Sequence, residues 1–263
     1  MNNSKVEKVN FYSNVLGKEM LMSVYLPKNY DDLTSLPVLY FLHGRSGSEK
    51  IMFEIDINTK ADQMIENGEI EPIIIVCPNI ENSRGINSSL ICKEVPDIGD
   101  ENRVINLGMY EDYFVKEIVP LIDKSFKTIK DRKGRYIGGA SAGGYIALHN
   151  TFRHQNMFSK VGGHMPALEL KLEEDDKAYY NDLDLWEKYD PIYIAKNNNI
   201  VPNIEVYLDA GDKDEGRFYE GCSKLHKILK DKGIHSQNYI FTGNHSAEYI
   251  KSNIEKYFKF YAG

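Results

Sequence analysis

The sequence predicts a mostly parallel, doubly wound α/β sheet, and two kinds of pattern support this fold class. Short apolar runs of strand length recur along the chain and are nearly continuous, as in strands that are covered on both faces. Longer segments between them have apolar residues at the 3.6-residue period of a helix. Strands that alternate with helices in this way are typical of a parallel sheet with right-handed crossovers.

The predicted elements begin with an antiparallel hairpin at the N-terminus. Its two strands, 9–13 and 20–26, flank the turn-like residues 14–18. Buried strands are then predicted at Val38–Leu42, Ile73–Val76, Tyr136–Ile137, around Val161, Ile204–Leu208 and Tyr239–Phe241. Amphipathic helices are predicted at 110–122, 222–229 and 250–258, where apolar residues fall on one helical face.

Two stretches do not follow this alternation. Residues 79–108 are rich in Asn, Ser and Gly, which predicts a long loop, and residues 165–199 are acidic and contain the only tryptophan, Trp186. In an α/β protein both would lie at the carboxyl edge of the sheet, where ligands bind. A chain of 263 residues is long enough for one large core. We therefore predict a single domain, 1–263, with a lid-like insertion at about 165–199.

Composition argues against several classes of partner and site. The 32 Lys+Arg against 39 Asp+Glu give a net charge of −7 without a basic run, which argues against nucleic acid. No apolar run is long enough to span a bilayer or to form a signal peptide, so we expect no membrane association. Cys77, Cys92 and Cys222 are widely spaced and lack a C-x-x-C motif. We expect a soluble, cytoplasmic protein without a metal site, and we leave open whether it forms a homo-oligomer.

The strongest chemical signal is Gly-Ala-Ser-Ala-Gly at 139–143, with Ser141 at its centre. The segment directly follows a predicted strand and opens a helical pattern, which is the context of a nucleophile elbow. The serine of an elbow lies on a sharp turn, so the residues two positions away on either side must be small. The helix N-terminus behind Ser141 offers N–H groups to a developing negative charge. We predict Ser141 as a nucleophile; a glycine-rich turn with an incidental serine is the alternative.

A serine hydroxyl needs a base within hydrogen-bond reach, and the chain has seven histidines. His245 lies in a loop after the last apolar strand and before the final helix, at the sheet edge where Ser141 also lies. His164 follows a strand and can border the site, but it precedes the candidate acids in the sequence. The other histidines lie on helices, before a strand, or in the loop after the first buried strand. We predict His245 as the base.

The loop after strand 204–208 offers the acid that would orient the imidazole. Its acidic residues are Asp209, Asp212, Asp214 and Glu215. The chain order of serine, then this loop, then His245 suits a hydrolase of the elbow type. Spacing alone does not choose among the four, and Asp214 is only somewhat favoured because it is the aspartate farthest into the loop.

The oxyanion formed during acyl transfer needs two N–H donors. One is the backbone N–H of Ala142, directly after the serine, and the other would come from the loop 43–47, His-Gly-Arg-Ser-Gly, after the first buried strand. The N–H of Arg45 is the best candidate for this second donor. Residues at the strand ends and in the insertion are expected to bind substrate: His43, Gly44, His164 and Trp186.

Several of these segments resemble the putative-esterase family, which groups esterase D and S-formylglutathione hydrolase with feruloyl, acetyl xylan, tributyrin-type and enterochelin esterases. The matching segments are Leu39–Gly44, Tyr110–Pro120, Arg135–Gly144, Gly211–Asp214 and Gly243–His245. The resemblance spans most of the chain and implies an α/β-hydrolase fold without metal or organic cofactor. The family's G-x-x-D acid falls on Asp214 and its G-x-H histidine on His245. Arg45 is a departure, because several relatives are more glycine-rich there.

Together these observations predict a serine carboxylesterase that hydrolyses a small-molecule ester through an acyl-enzyme. Short acyl, acetyl or feruloyl groups are the expected acyl parts. An S-formylglutathione-type thioesterase and a siderophore esterase are alternatives with the same machinery. An alternative of another class is a non-catalytic binding module with a hydrolase fold. A separation of more than about 4 Å between Ser141 and His245 would favour that module.

Overall fold

The computed structural model describes residues 3–180 and 182–263 and places ten strands along the chain. Their bounds are β1 Lys5–Ser13, β2 Lys18–Leu26, β3 Val38–Leu42, β4 Ile74–Pro78, β5 Lys93–Pro96, β6 Val104–Leu107, β7 Arg135–Ala140, β8 Lys160–His164, β9 Glu205–Gly211 and β10 His235–Phe241. Eight of them form one sheet in the order β1-β2-β4-β3-β7-β8-β9-β10. β5 and β6 pair with each other in a separate antiparallel hairpin.

The described helices connect these strands. Their bounds are α1 Ile51–Glu54, α2 Ile57–Glu66, α3 Tyr110–Asp112, α4 Val119–Ser125, α5 Ala142–Arg153, α6 Leu183–Tyr189, α7 Pro191–Asn197, α8 Phe218–Asp231 and α9 Ala247–Ala262. A π-helical turn, Tyr113–Ile118, joins α3 to α4 without a break. Within the described residues, no helix has both the length and the apolarity that are needed to cross a membrane.

The large sheet confirms the predicted fold class, which is that of the α/β hydrolases. β4, β3, β7, β8, β9 and β10 run parallel to one another, whereas β1 and β2 form the predicted N-terminal hairpin. β2 joins the parallel strands through an antiparallel pairing with β4. Because the parallel strands end at one edge, the segments after β3, β7, β8, β9 and β10 meet there, and these segments contain the predicted site residues.

Burial explains why the central strands carry continuous apolar runs. All five residues of β3 are buried, as are all five of β4. α5 covers β7 and β8 on one face, and it is itself buried at every position from Ala142 to Phe152. α9 packs against α2 and β8. A strand that is covered on both faces has no polar side, so its sequence shows no alternation.

The two irregular stretches contain more structure than the sequence indicates. Residues 79–108 were expected to form a long loop, but they include the β5–β6 hairpin, whose four-residue strands are too short to show a pattern. The stretch 165–199 contains α6 and α7. A second apolar cluster joins the two stretches; it consists of Ile86, Ile105, Leu107, Tyr179, Tyr180 and Tyr189. Asn181 of the predicted insertion, and residues 1–2 of the predicted domain, lie outside the described residues.

Candidate active site

Ser141 lies on a strained turn between β7 and α5. Its backbone angles are φ 55° and ψ −118°, a conformation that a residue with a side chain rarely adopts. The neighbouring glycines are needed because backbone approaches them closely. A Cβ on Gly139 would lie 2.6 Å from the Leu42 carbonyl oxygen, and one on Gly143 would lie 2.3 Å from the same oxygen. The turn therefore holds the Ser141 hydroxyl at the end of the sheet through backbone packing.

The side chains of Ser141, His245 and Asp214 form a continuous chain of hydrogen bonds. Ser141 Oγ is 2.9 Å from His245 Nε2, and His245 Nδ1 is 2.8 Å from Asp214 Oδ2. The other carboxylate oxygen of Asp214 accepts the N–H of Gly216 at 2.9 Å. Asp214 is buried, whereas the His245 side chain keeps 25% of its surface exposed. In this arrangement Nδ1 of His245 donates to the carboxylate, which leaves Nε2 as the acceptor for the serine proton.

The loops after β9 and β10 pack closely, and this brings the acid to the histidine. A Cβ on Gly211 would lie 2.2 Å from the Gly243 carbonyl oxygen, so only glycine allows the two backbones to approach this closely. The N–H of Lys213 donates to that same oxygen at 2.9 Å. Two residues beyond Gly243, the chain has turned His245 towards Asp214.

The other acidic residues of the loop have different surroundings. Asp209 is buried in β9 and bonded to His164, and Asp212 accepts the N–H of Gly243 at 3.0 Å. Glu215 is exposed and lines the cleft above the serine. Of the four acids that spacing left open, the structure brings Asp214 to the imidazole.

Two backbone N–H groups near Ser141 in the chain or in the neighbouring loop have no hydrogen-bond partner in the described residues: that of Ala142, directly after the serine, and that of Arg45, in the loop after β3. The loop that carries Arg45 runs close to Ser141, because a Cβ on Gly44 would lie 3.3 Å from Ser141 Cβ. His43 braces this loop: its Nδ1 is 2.8 Å from the Gly44 carbonyl oxygen, and its Nε2 accepts the N–H of Ile80 at 3.0 Å. Burial lowers the pKa of His43, so this imidazole is neutral.

Ser141 and His245 lie at the floor of a cleft of about 610 Å³. His43 and Gly44, which were expected to bind substrate, are in its wall. Trp186 is not among the residues that line the cleft, because it packs on the second apolar cluster. His164 is fully buried behind the sheet edge, where its two ring nitrogens bond Asp209 and Tyr261. The expectation that His164 and Trp186 face the substrate therefore does not fit their positions.

Sequence reasoning missed several residues of the cleft. Phe218, at the start of α8, places its ring edge-on to the imidazole of His245 at 5.2 Å. Arg84 is buried beside the cleft, bonded to Asp176 and to Glu169, and lies over the ring of Tyr145. Arg84 belongs to the polar stretch 79–108, where nothing in the sequence separates a buried arginine from a solvated one.

The cleft is bordered by both charge signs. Arg45, Arg84 and Arg103 line it, and each is ion-paired with at least one carboxylate. Glu54 and Glu215 also line it, and neither has an ion-pair partner within the described part of the chain. Burial raises the pKa of Glu169 in the same wall. Across residues 3–180 and 182–263, no group of three or more His, Cys, Asp or Glu side chains is arranged to hold a metal ion.

Known proteins are similar to this chain over most of its length. The sequence profile described as "Putative esterase" matches residues 13–260. The chain is 29% identical over 244 residues to an endo-1,4-beta-xylanase/feruloyl esterase of Xylanibacter ruminicola, covering 87% of this chain and 30% of that protein. It is 27% identical over 241 residues to an S-formylglutathione hydrolase of Arabidopsis thaliana, covering 83% of this chain and 81% of that one.

Solved structures share the fold at low sequence identity. A ferulic acid esterase superimposes with a TM-score of 0.84 at 22% identity, with 100% of this chain and 99% of that chain covered. An S-formylglutathione hydrolase from Agrobacterium tumefaciens superimposes with a TM-score of 0.78 at 17% identity, with 100% and 97% covered. At this level of sequence identity, the superpositions show that these proteins share the same arrangement of strands and helices.

Proposed function

The chain belongs to the putative esterase family and is a carboxylic ester hydrolase, and on that premise we propose that Ser141, His245 and Asp214 form a catalytic triad that works through an acyl-enzyme. The observation that carries the proposal is the unbroken hydrogen-bond chain from Ser141 Oγ through both ring nitrogens of His245 to the buried Asp214. A nucleophile, a base in contact with it and a group that orients the base are what this chemistry requires. The Ser141–His245 distance of 2.9 Å speaks against a non-catalytic binding module.

Acylation begins when Ser141 Oγ attacks the ester carbonyl carbon and His245 Nε2 takes the hydroxyl proton. The carbonyl π bond opens, and its electron pair becomes an oxyanion that the N–H groups of Ala142 and Arg45 stabilise. Asp214 holds the imidazole in the required tautomer and stabilises its cation. When the carbonyl re-forms, the ester C–O bond breaks, and the proton on His245 passes to the leaving alkoxide to give the free alcohol.

Deacylation repeats these steps with water as the nucleophile. His245 removes a proton from a water molecule that attacks the acyl carbon of the Ser141 ester. The second tetrahedral oxyanion uses the same two N–H donors. Its collapse breaks the bond to Ser141 Oγ, which takes back the proton from His245, and the carboxylic acid leaves.

The charges around the cleft favour uncharged esters as substrates. Each of the three lining arginines is matched by a carboxylate, and the exposed Glu54 and Glu215 add negative charge without an ion-pair partner. A cleft lined with one excess sign of charge repels substrates of that sign. We therefore favour neutral esters with short acyl, acetyl or feruloyl groups over a glutathione thioester, which carries net negative charge at neutral pH.

Hydrolysis of p-nitrophenyl acetate and butyrate by wild type and Ser141→Ala tests the proposal. Loss of the nucleophile should lower kcat by about 10⁴-fold or more. Ser252→Ala is the matched control, because this exposed serine bonds only within α9 and should leave the rate unchanged. Comparable rates in wild type and Ser141→Ala would exclude the mechanism.

A substrate panel then tests the charge argument. The acetyl esters of a neutral phenol, of 4-hydroxybenzoate and of choline have the same acyl group but different charge on the alcohol. We expect kcat/KM to be several-fold lower for the anionic ester at low salt, with the gap narrowing as salt is added. S-formylglutathione belongs in the same panel, and its rapid turnover would favour the thioesterase alternative.

A further inference from the structure

The side chain of Arg45 joins three segments of the chain that are far apart in sequence. Its backbone belongs to the loop after β3, beside Ser141. Its Nη2 donates to Asp97 Oδ1 at 3.0 Å in the turn between β5 and β6, and its Nη1 donates to Asp175 Oδ2 at 2.9 Å in the stretch between β8 and β9. The guanidinium also lies 5.9 Å from the centre of the Tyr179 ring.

Asp97 is a rigid anchor for this arginine. Its carboxylate is fully buried, and Oδ1 also accepts the N–H of Gly99 at 2.9 Å. The turn that holds Asp97 is closed by three backbone hydrogen bonds, from the Asp97 N–H to the Arg103 carbonyl, from the Asp100 N–H to the Asp97 carbonyl and from the Arg103 N–H to the Asp100 carbonyl. A buried carboxylate fixed from its own backbone holds a guanidinium in a defined place.

Asp175 is the weaker anchor, with 46% of its side chain exposed. It nevertheless lies against the same turn, because a Cβ on Gly99 would be 3.5 Å from Asp175 Cβ and 3.3 Å from Asp97 Oδ1. The two stretches that border the cleft therefore touch at the point where the arginine binds both.

The loop that carries Arg45 has a backbone that needs external support. Ser46 has φ 62°, in the left-handed region that costs free energy for a residue with a side chain. Within the loop, the N–H of Gly47 bonds the Gly44 carbonyl at 3.0 Å, and the imidazole of His43 bonds the same oxygen. The N–H of Arg45 has no hydrogen-bond acceptor in the described residues and belongs to the same peptide group as that oxygen, so the two bonds hold this peptide from its carbonyl side while the Arg45 side chain holds it from the other.

We propose that the Arg45 side chain is a positioning residue that holds its own backbone N–H at the oxyanion. This inference rests on the proposed triad mechanism and adds to it a reason for a bulky arginine in this loop. An oxyanion donor works only when it is aimed at the place where charge develops, and losing one such donor lowers kcat by about 10²–10³-fold. A side chain fixed at both ends of its guanidinium limits how far the peptide behind it can turn.

Three variants test the proposal. Arg45→Met removes both ion pairs but keeps side-chain length, and Arg45→Lys keeps the charge but not the two-sided contact. Arg217→Met is the matched control, because Arg217 pairs with Glu220 near the cleft and has no contact with the loop 43–47. We expect Arg45→Met to lower kcat by about 10- to 100-fold with KM changed by less than about 3-fold, Arg45→Lys to fall between it and wild type, and Arg217→Met to match wild type.

A second measurement separates positioning from simple bracing of the fold. A boronic acid forms a tetrahedral adduct with Ser141 and presents an oxygen to the proposed N–H donors, whereas a product carboxylic acid binds without forming that adduct. We expect boronic acid affinity to fall in Arg45→Met by the same factor as kcat/KM, and product affinity to stay within about 2-fold. Added guanidinium should partly restore kcat in Arg45→Ala.

The two anchors supply a graded prediction. Asp97→Asn should reduce kcat more than Asp175→Asn, because Asp97 is buried and Asp175 is half exposed.

The proposal is wrong if Arg45→Met keeps its kcat, or if boronic acid and product affinities fall together. Should Arg45→Met and Asp97→Asn not fold, Arg45→Lys and Asp175→Asn still decide the matter through the same two affinities. If Ser141→Ala were active, the mechanism itself would fail; if only the Arg45 variants were unaffected, this inference alone would fail.

Discussion

The molecule contains two histidine–aspartate pairs of nearly the same geometry in two different surroundings. His245 Nδ1 is 2.8 Å from Asp214, and His164 Nδ1 is 3.0 Å from Asp209. Both acids lie in or just after β9. The first pair opens onto the cleft, with a quarter of the imidazole exposed, whereas the second has no exposed surface on either side chain.

The difference lies in what the second ring nitrogen meets. Nε2 of His245 contacts the hydroxyl of Ser141, on a strained turn in reach of a substrate. Nε2 of His164 contacts the hydroxyl of Tyr261, inside the protein, and its ring stacks on Tyr257 at 3.6 Å between ring centres. The same two residue types thus make a candidate general base at His245 and a buried, structural hydrogen-bonded pair at His164.

The buried pair supports the exposed one through the backbone. The carboxylate of Asp209 accepts the hydroxyl groups of Tyr249 and Tyr257, which ties α9 to the end of β9. α9 begins two residues after His245. On the other side, the carbonyl oxygen of His164 accepts the N–H of Ser141 at 3.0 Å. The buried His164–Asp209 pair therefore supports the chain segments that carry both Ser141 and His245.

The largest predicted effect comes from Asp214→Asn, which breaks the outer pair. An asparagine amide can donate to Nδ1, which would leave the proton on Nε2 and remove the acceptor for the serine proton. We expect kcat to fall by about 10⁴-fold with little change in the free energy of unfolding. Ester turnover and urea unfolding, measured on one preparation, test this prediction. A fall in kcat of less than 10-fold would mean that another acidic residue of the loop orients His245.

The inner pair should respond in the opposite way. Asp209→Asn disturbs three buried hydrogen bonds, so we expect the free energy of unfolding to fall by about 3 kcal/mol. The kcat per folded molecule, counted by active-site titration, should change far less than in Asp214→Asn. Tyr257→Phe removes one of the bonds and should cost about 1 kcal/mol, while Asp231→Asn, an exposed aspartate at the end of α8, serves as control. A 10⁴-fold loss of kcat in folded Asp209→Asn would end the distinction between the pairs.

A smaller effect is expected on the free energy of unfolding at acidic pH. Burial lowers the pKa of His164 below 6.5 and lowers that of His149, whose ring nitrogens have no partner in the described residues, to about 3. His149 stays neutral in the folded protein at pH 5, and His164 takes up a proton less readily there than in the unfolded chain, which is protonated below pH 6.5. The unfolding free energy should therefore be complete above pH 6.5 and decline below it, by about 2 kcal/mol at pH 5 for His149, with a further contribution of the same sign from His164.

Urea midpoints at pH 7.5 and pH 5.0 measure this decline. His149→Phe should reduce it, because it removes one buried group that the unfolded chain protonates. His164→Gln should also reduce the decline, although this variant should already be less stable than wild type at pH 7.5. A pH dependence that neither variant changes would show that other groups control acid stability.

The positions of Ser141 and His245 at the candidate site were predictable from sequence because local signals mark both residues. Ser141 has small neighbours that the elbow needs, and His245 follows a recognisable last strand. Asp214 needed the family resemblance, since spacing did not separate it from the other acids of its loop. In the structure, Asp214 differs from the other acids because a close contact between Gly211 and Gly243 brings its loop to His245. These two glycines are 32 positions apart in the sequence.

The rim of the cleft was much less predictable. The expected substrate contacts His164 and Trp186 lie elsewhere, because the burial of a strand-end histidine and the packing of a lone tryptophan depend on distant segments. Arg84 gave no sequence signal because it lies in a polar stretch, and the β5–β6 hairpin gave none because its four-residue strands are too short to show alternation. Even Arg45 was singled out for its backbone, and its side-chain partners at Asp97 and Asp175 are 52 and 130 positions away.

The junction at Arg45 also bears on how this enzyme can be re-engineered. Because loops on a rigid scaffold often carry the residues that bind substrate, the stretches 79–108 and 165–199 are the natural segments to exchange for a new specificity. Because Asp97 and Asp175 bind one guanidinium, and the apolar cluster joins the same two stretches, they form one module with Arg45. A library that recombines the two stretches from different parents would break this module in most of its members, whereas one that moves them together with Arg45 would keep it.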